Sequence, residues 1–135
     1  MEEEEKFIVD VRSRIGLEKY QTIVSSGGHH IIVDEPESNG GGNTGADPQV
    51  LLLGSLGSCT AITLRMYFNR KNWPVEDITV DVQLFKTGAE KVIKCLIDYN
   101  GELTAEQRLR LVQIASACPV HKILEKSIPI VTSLK

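Results

Sequence analysis

The chain has 135 residues, a length that suits one domain, taken as 1–135, with a core of its own. Hydrophobic residues make up 41% and charged residues 24%, the balance of a soluble globular protein. A net charge of −3 speaks against nucleic acid as a partner, because binding phosphates needs a basic surface.

The acidic start, Glu2 through Glu5, reads as a solvated tail over residues 1–5. It lacks the positive flank of an export signal. Residues 7–12 alternate, with Phe7, Val9 and Val11 on one side, and read as a strand. A turn near Gly16 leads to a second strand over 20–26, and Gly27-Gly28 turns the chain into a third over 30–34. Residues 35–47 contain Pro36, Gly40-Gly41-Gly42 and Gly45 and read as a flexible surface loop. A phosphate cradle would need a lysine at the right spacing, which is absent.

Asp47-Pro48 is a helix start, with Asp as N-cap and Pro at the first helical position. The helix should run to about Asn69. Its apolar residues lie all round the circumference, so it must be surrounded, with help from a second subunit. Ser55, Ser58, Thr60, Thr63 and Arg65 make it too polar for a membrane span. Gly54 and Gly57, with Ser55 and Ser58, allow close approach of a neighbouring element. Residues 78–86 and 92–100 alternate as two strands around Thr87-Gly88-Ala89. Thr104 and Gln107 form a capping-box signature. The helix that follows should break at Cys118, since Pro119 disfavours helical geometry there. A short helix over 119–125 and a last strand over 128–133 complete an α+β order.

Three cysteines, Cys59, Cys95 and Cys118, are an odd number without an export signal. A reducing, cytoplasmic setting follows, and a structural disulfide framework does not. Cys95, on an alternating strand face, reads as core. Cys59 and Cys118 read either as core filler or as a redox pair. In the redox reading one thiolate attacks a peroxide and becomes a sulfenic acid, and the second thiol condenses with it to a disulfide. Such a device needs no metal and no bound organic cofactor. Cys118-x-x-His121 has the spacing of metal ligands, but one such pair supplies too few. A nucleophile–base pair of Cys118 and His121 has no identifiable third member. Burial in an apolar helix raises a thiol's pKa. Arg65 and Arg70 are not at helical-neighbour spacing from Cys59, which leaves Arg12 and Arg14 on the first strand as activating candidates.

The stretches Asp34-Glu35-Pro36, Leu51-Leu52-Leu53 through Gly57-Ser58-Cys59-Thr60, Thr63-Leu64-Arg65-Met66-Tyr67, Arg70-Lys71-Asn72-Trp73-Pro74 and Ala117-Cys118-Pro119-Val120-His121-Lys122 resemble the OsmC/Ohr family of thiol-dependent peroxidases, closest to its broad OsmC-like branch. The resemblance implies two antiparallel sheets wrapped around central helices in an intertwined homodimer, with active sites at the dimer interface. It implies a stress-defence peroxidase acting on organic hydroperoxides, with Cys59 attacking, Cys118 resolving and a dithiol of the dihydrolipoamide type as reductant. The best-known peroxidases of the family use a glutamate just after the helix-starting proline, where this chain has Gln49 and Val50. Their arginine comes from the early strands, near Gln21 and Thr22 here. Either Arg12 or Arg14 substitutes, or the protein is a redox-sensing or small-molecule-binding relative with little turnover.

Overall fold

The computed structural model describes residues 3–135, so Met1 and Glu2 of the acidic start lie outside the described residues. Among the described residues the elements follow in the order β1 (Arg12–Ile15), β2 (Thr22–Ser26), β3 (His29–Val33), a 3-10 turn (Glu37–Asn39), α1 (Pro48–Lys71), β4 (Val75–Thr87), β5 (Glu90–Gly101), α2 (Ala105–Ala115) and α3 (Pro119–Glu125). The class is α+β, with two antiparallel sheets. The chain divides into two compact units within the first turn of α1, one ending at Leu51 and the other running from Leu52 to Lys135.

In the first unit, β1, β2 and β3 form an antiparallel meander. Gly27 and Gly28 both take positive φ, 55° and 82°, and Ser26 pairs with His29. A two-residue turn of this hand matches strand twist and needs residues free of a Cβ. The same turn explains a departure from the sequence reading. Arg12 pairs with Ser25, so β2 ends in its turn before it can offer partners to residues 7–10. These residues are left without a ladder, although Ser26 Oγ still donates to the carbonyl of Asp10 at 2.7 Å.

The loop of residues 35–47 is pinned, in contrast to the flexible loop read from its glycines. Asp34 is only 2% exposed. Its carboxylate accepts from the amides of Glu35 (2.8 Å) and Thr44 (3.1 Å) and from the Thr44 hydroxyl. A Cβ on Gly41 would collide with the backbone of Glu35, and one on Gly45 with that of Ile32. The glycines serve close packing of the chain against itself.

The second unit holds the larger core. Leu64, Tyr67 and Phe68 of α1, Val75 at the start of β4, and Leu111 and Ala115 of α2 are buried together. Ile78, Ile97 and Tyr99 cover them from the sheet and Trp73 from the α1–β4 turn. The Trp73 ring meets Tyr67 edge-on at 5.2 Å and stacks on Phe68 at 5.4 Å, geometries that aromatic pairs favour. By length and composition alone α1 could cross a membrane, but Leu64 and Phe68 are fully buried in this core. Leu56, Thr60, Leu64, Tyr67 and Phe68 lie on its buried face. The opposite face is open: Ile62 is 55% and Met66 67% exposed. The helix is therefore apolar all round, as read, and the second unit packs against only one side of it among the described residues.

Gly57 lies against β4, where an added Cβ would stand 3.2 Å from Val82 Cγ2, while one on Gly54 would meet open space. Of the two glycines read as permitting close approach, Gly57 does so here. The expected last strand over 128–133 is not formed. Residues 127–135 belong to no strand, and Ile128, Ile130 and Val131 are exposed. A strand exists only by pairing, and no edge of either described sheet is ladder-bonded to this segment.

Candidate active site

Two elements of the second unit build the site. α1 carries Cys59 one residue before the buried Thr60 and one helical turn before Thr63. The break between α2 and α3 presents Cys118, Val120 and His121. Pro119 at the first position of α3 forces Cys118 into extended backbone (φ −65°, ψ 142°), where it becomes the N-cap. Its Sγ accepts the backbone N–H of His121 at 3.3 Å.

Cys118 is fully buried. The Thr60 hydroxyl lies 2.8 Å from the carbonyl of Leu56 and 3.7 Å from Cys118 Sγ. One hydroxyl proton serves both, and the shorter bond takes most of it. Cys59 is half-buried, and both thiols are free. The Cys118 thiol bears on the titration of Cys59, the residue before Thr60. The fold therefore brings Cys118 up to the stretch of α1 that carries Cys59, from a distant part of the chain.

The Cys59 thiol is pushed above the usual range, first by burial, and further by the Cys118 thiol and its charge. The Val120 backbone N–H and the Thr63 hydroxyl favour the thiolate and oppose that shift. Thr63 follows Cys59 by four positions, a helical-neighbour spacing that sequence reasoning passed over. The Val120 amide had no signal in the sequence, since its role depends on where α3 docks.

Arg65 is occupied elsewhere, donating to the carbonyls of Val75 (2.8 Å) and Glu76. Arg12 and Arg14 are exposed on β1 in the first unit. There too Gln21 donates to the Thr44 hydroxyl at 3.1 Å. The His121 ring turns away from Cys118: its Nε2 stands 3.3 Å from Glu125 Oε2. The amide of His121 serves Cys118, and its imidazole does not, so the Cys118–His121 nucleophile–base pair is not assembled. Among the described residues, no three His, Cys, Asp or Glu side chains are placed to hold a metal ion.

A cleft of about 280 Å³ is lined by Leu56, Lys91, Ile93, Cys95, His121, Leu124 and Glu125; it includes neither Cys59 nor Cys118, but His121 is the residue whose amide binds Cys118 Sγ. Its lining combines aliphatic Leu56, Ile93 and Leu124 with polar Lys91, His121 and Glu125. Cys95 does occupy the inner strand face with Ile93, Ile97 and Tyr99, but it is exposed to this cleft. The reading of Cys95 as core is corrected to that extent. Alternation gives a residue's face and cannot tell whether a neighbour covers it.

The sequence profile of the family described as OsmC-like protein matches residues 40–133. No curated protein matches the sequence at a significant level. Among solved structures, a putative osmotic stress induced and detoxification response protein from Psychrobacter arcticus is 20% identical, with 88% of this chain and 90% of that chain covered and a TM-score of 0.73. An OsmC like protein from Mycoplasma pneumoniae is 15% identical over 90% of this chain and 89% of its own, with a TM-score of 0.75. The organic hydroperoxide resistance protein OhrB of Bacillus subtilis is 21% identical over 87% of this chain and 90% of its own, with a TM-score of 0.58. At these identities the likeness is one of fold.

Proposed function

The chain belongs to the OsmC-like family, and from that premise we propose that it is a cytoplasmic, thiol-dependent peroxidase of stress defence acting on organic hydroperoxides. Cys59 thiolate attacks the distal peroxide oxygen, taking it up as a sulfenic acid while the alkoxide leaves and is protonated to the alcohol. The Cys118 thiol then displaces water from that sulfenic acid and forms the Cys59–Cys118 disulfide. A dithiol reduces it by two successive exchanges and leaves as its own disulfide. No bound cofactor enters the cycle.

The observation that carries this reading is the approach of Cys118 Sγ to within 3.7 Å of the hydroxyl of Thr60, the residue next to Cys59, across two elements far apart in sequence. The aliphatic lining of the cleft near His121, with Leu56, Ile93 and Leu124, supports an alkyl hydroperoxide over hydrogen peroxide, since burying alkyl groups is favourable by about 0.8 kcal/mol per methylene. A relative named for organic hydroperoxide resistance shares the fold.

The working form is a homodimer in this reading. The open face of α1, with Ile62 and Met66, and the unpaired apolar segment 128–134 are what a second copy would cover. Sedimentation should give twice the mass of the chain, and a monomer at micromolar concentration would reject that part.

The raised Cys59 thiol favours a second reading, a redox-sensing or small-molecule-binding protein with little turnover. One experiment separates the two. Reduced protein is mixed with cumene hydroperoxide, quenched with an alkylating agent and mapped by mass. A rapid Cys59–Cys118 bridge with steady consumption of peroxide on a dithiol supports the enzyme. The bridge without turnover supports the sensor. Two unreacted thiols reject both.

A further inference from the structure

Where α1 packs on α2, the second unit holds a group of charges that the thiol cycle leaves unused. The last turn of α1 supplies Arg70 and Lys71. α2, seated on α1 through Leu111 and Ala115, supplies Arg110. All three gather round the Tyr67 ring: the guanidinium carbons of Arg70 and Arg110 stand 5.4 Å and 5.8 Å from its centroid, and Lys71 Nζ stands 5.9 Å away. Among the described residues, none of the three is ion-paired to a carboxylate. Cations in the last turn complement the α1 dipole, which accounts for Arg70 and Lys71. It does not account for Arg110, which comes from another helix.

Arg110 is held in a fixed pose. Its Nε donates to the Tyr67 hydroxyl at 3.3 Å and its Nη1 to Gln113 Oε1 at 2.9 Å. Its Nη2 has no protein partner among the described residues. Tyr67 is 8% exposed, and its hydroxyl accepts from Arg110 but donates to no protein acceptor among the described residues. Buried hydroxyls ordinarily use their proton. The phenol is held below its usual range, first by the Arg110 hydrogen bond and then by the charges of Arg110, Lys71 and Arg70, so the local field is positive.

Arg110 also lines a cavity of about 580 Å³, together with Trp73, Leu109, Thr104, Gln107, Gln113 and Glu106. A volume of this order suits a small molecule. The polar residues of the lining have used their acceptors on one another. Gln107 Oε1 accepts the Thr104 amide, Thr104 Oγ1 accepts the Gln107 amide, and Gln113 Oε1 accepts from Arg110. An amide N–H and a guanidinium can only donate, so both glutamine side chains keep their NH2 groups as spare donors. Glu106 is the one carboxylate of the lining, and it lies in the first turn of α2, where it complements the helix dipole.

We propose that this cavity is a binding site for a small organic anion, with its carboxylate or phosphate held by Arg110 and its apolar body against Trp73 and Leu109. The surplus of donors and the three unpaired cations select a negative group. The indole and the leucine select a carbon skeleton over a bare ion. The proposal does not rest on the peroxidase reading.

Trp73 is the only tryptophan of the chain, so its indole N–H gives a single signal in an NMR spectrum of the labelled protein. That signal should move and saturate with millimolar phenyl phosphate or benzoate, and the tighter of the two identifies the anionic group. Benzyl alcohol, which has the ring without the charge, should bind at least about tenfold more weakly, since hydrogen bonds to charged groups are the strong ones. Arg110→Gln should weaken phenyl phosphate by at least about tenfold, and Tyr67→Phe by roughly two- to tenfold. The double variant Arg70→Gln/Lys71→Gln changes only exposed side chains and should also weaken binding, so it carries the test should Arg110→Gln fail to fold. A Trp73 signal that does not saturate with either anion overturns the site. So does benzyl alcohol binding as tightly as phenyl phosphate, or undiminished affinity in the folded cation variants.

Discussion

Asp34 in the first unit and Cys59 in the second are acidic groups withdrawn from water, and their environments push them in opposite directions. The Asp34 carboxyl is held below its usual 3.8, first by the Thr44 hydroxyl, then by the amides of Glu35 and Thr44. These donors outweigh the cost of burial. The Cys59 thiol is pushed above the usual range because burial outweighs the Val120 amide and the Thr63 hydroxyl. The number and strength of donors decide the sign. The loop site is fully satisfied and structural. The thiol site is left short of donors, as a nucleophile waiting for an activating charge would be.

The largest effect should come from pH. If Cys59 works from a raised pKa with no further activation, the thiolate is a minor species at neutrality, and its fraction grows tenfold per pH unit. Oxidation by cumene hydroperoxide, measured by stopped flow, should therefore rise about a hundredfold between pH 6 and pH 8. A flat profile would break the comparison. It would mean that a cation, Arg12 or Arg14 among the candidates, reaches Cys59 in the working assembly.

Asp34 offers the matching test on stability. Its folded pKa is lowered, so its contribution is fully present above the unfolded value and is lost as pH falls through the folded one. Asp34→Asn should melt several degrees below the wild type at neutral pH. The gap should stay constant down to roughly pH 5 and shrink as pH drops below the carboxylate range, about 4. Melting curves by circular dichroism measure both. A gap unchanged at low pH would show that the carboxylate charge contributes nothing to pinning the loop.

This contrast also marks how far the sequence could be read. Chain-local signals were legible: Asp47 as cap, with its carboxylate 2.9 Å from the Val50 amide; the Thr104–Gln107 capping box; and the helix restart at Pro119. Cys59 and Cys118 were legible as candidates for the same reason, since their flanking motifs are local. What was hidden depends on partners distant in sequence. The first strand was displaced because β2 turns away at Gly27, and pairing follows the partner's length, whatever the alternation of residues 7–11. The glycine-rich loop looked flexible because Asp34 holds it from ten residues away, through Thr44. Cys95 looked like core because a period of two fixes its face and says nothing about the cleft above it.

A smaller effect tests the donor side of the thiol site. Thr63→Val keeps the shape of the side chain and removes the hydroxyl that favours the Cys59 thiolate. One hydrogen bond is worth about 0.5–1.5 kcal/mol, or roughly two- to tenfold in the thiolate fraction. Oxidation at pH 7 should slow by that factor, and the whole pH profile should move to higher pH without changing its plateau. A lowered plateau at an unmoved pKa would mean that Thr63 acts on the bound peroxide and not on the thiol.

The smallest effect concerns the glycines, which differ between the two regions as the acids do. Gly41 and Gly45 admit no Cβ, because peptide backbone stands where it would go, and backbone cannot step aside. Gly57 faces one methyl of Val82 at 3.2 Å, and a side chain can yield by a few tenths of an ångström. Alanine gains about 1 kcal/mol over glycine inside a helix, so the gain and the crowding in Gly57→Ala should nearly cancel, within about 1 kcal/mol by urea unfolding. In a Val82→Ala background the crowding disappears and the gain should emerge. A coupling of about 0.5–1 kcal/mol between the two changes is therefore expected. Additive changes would mean that α1 is not seated on Val82.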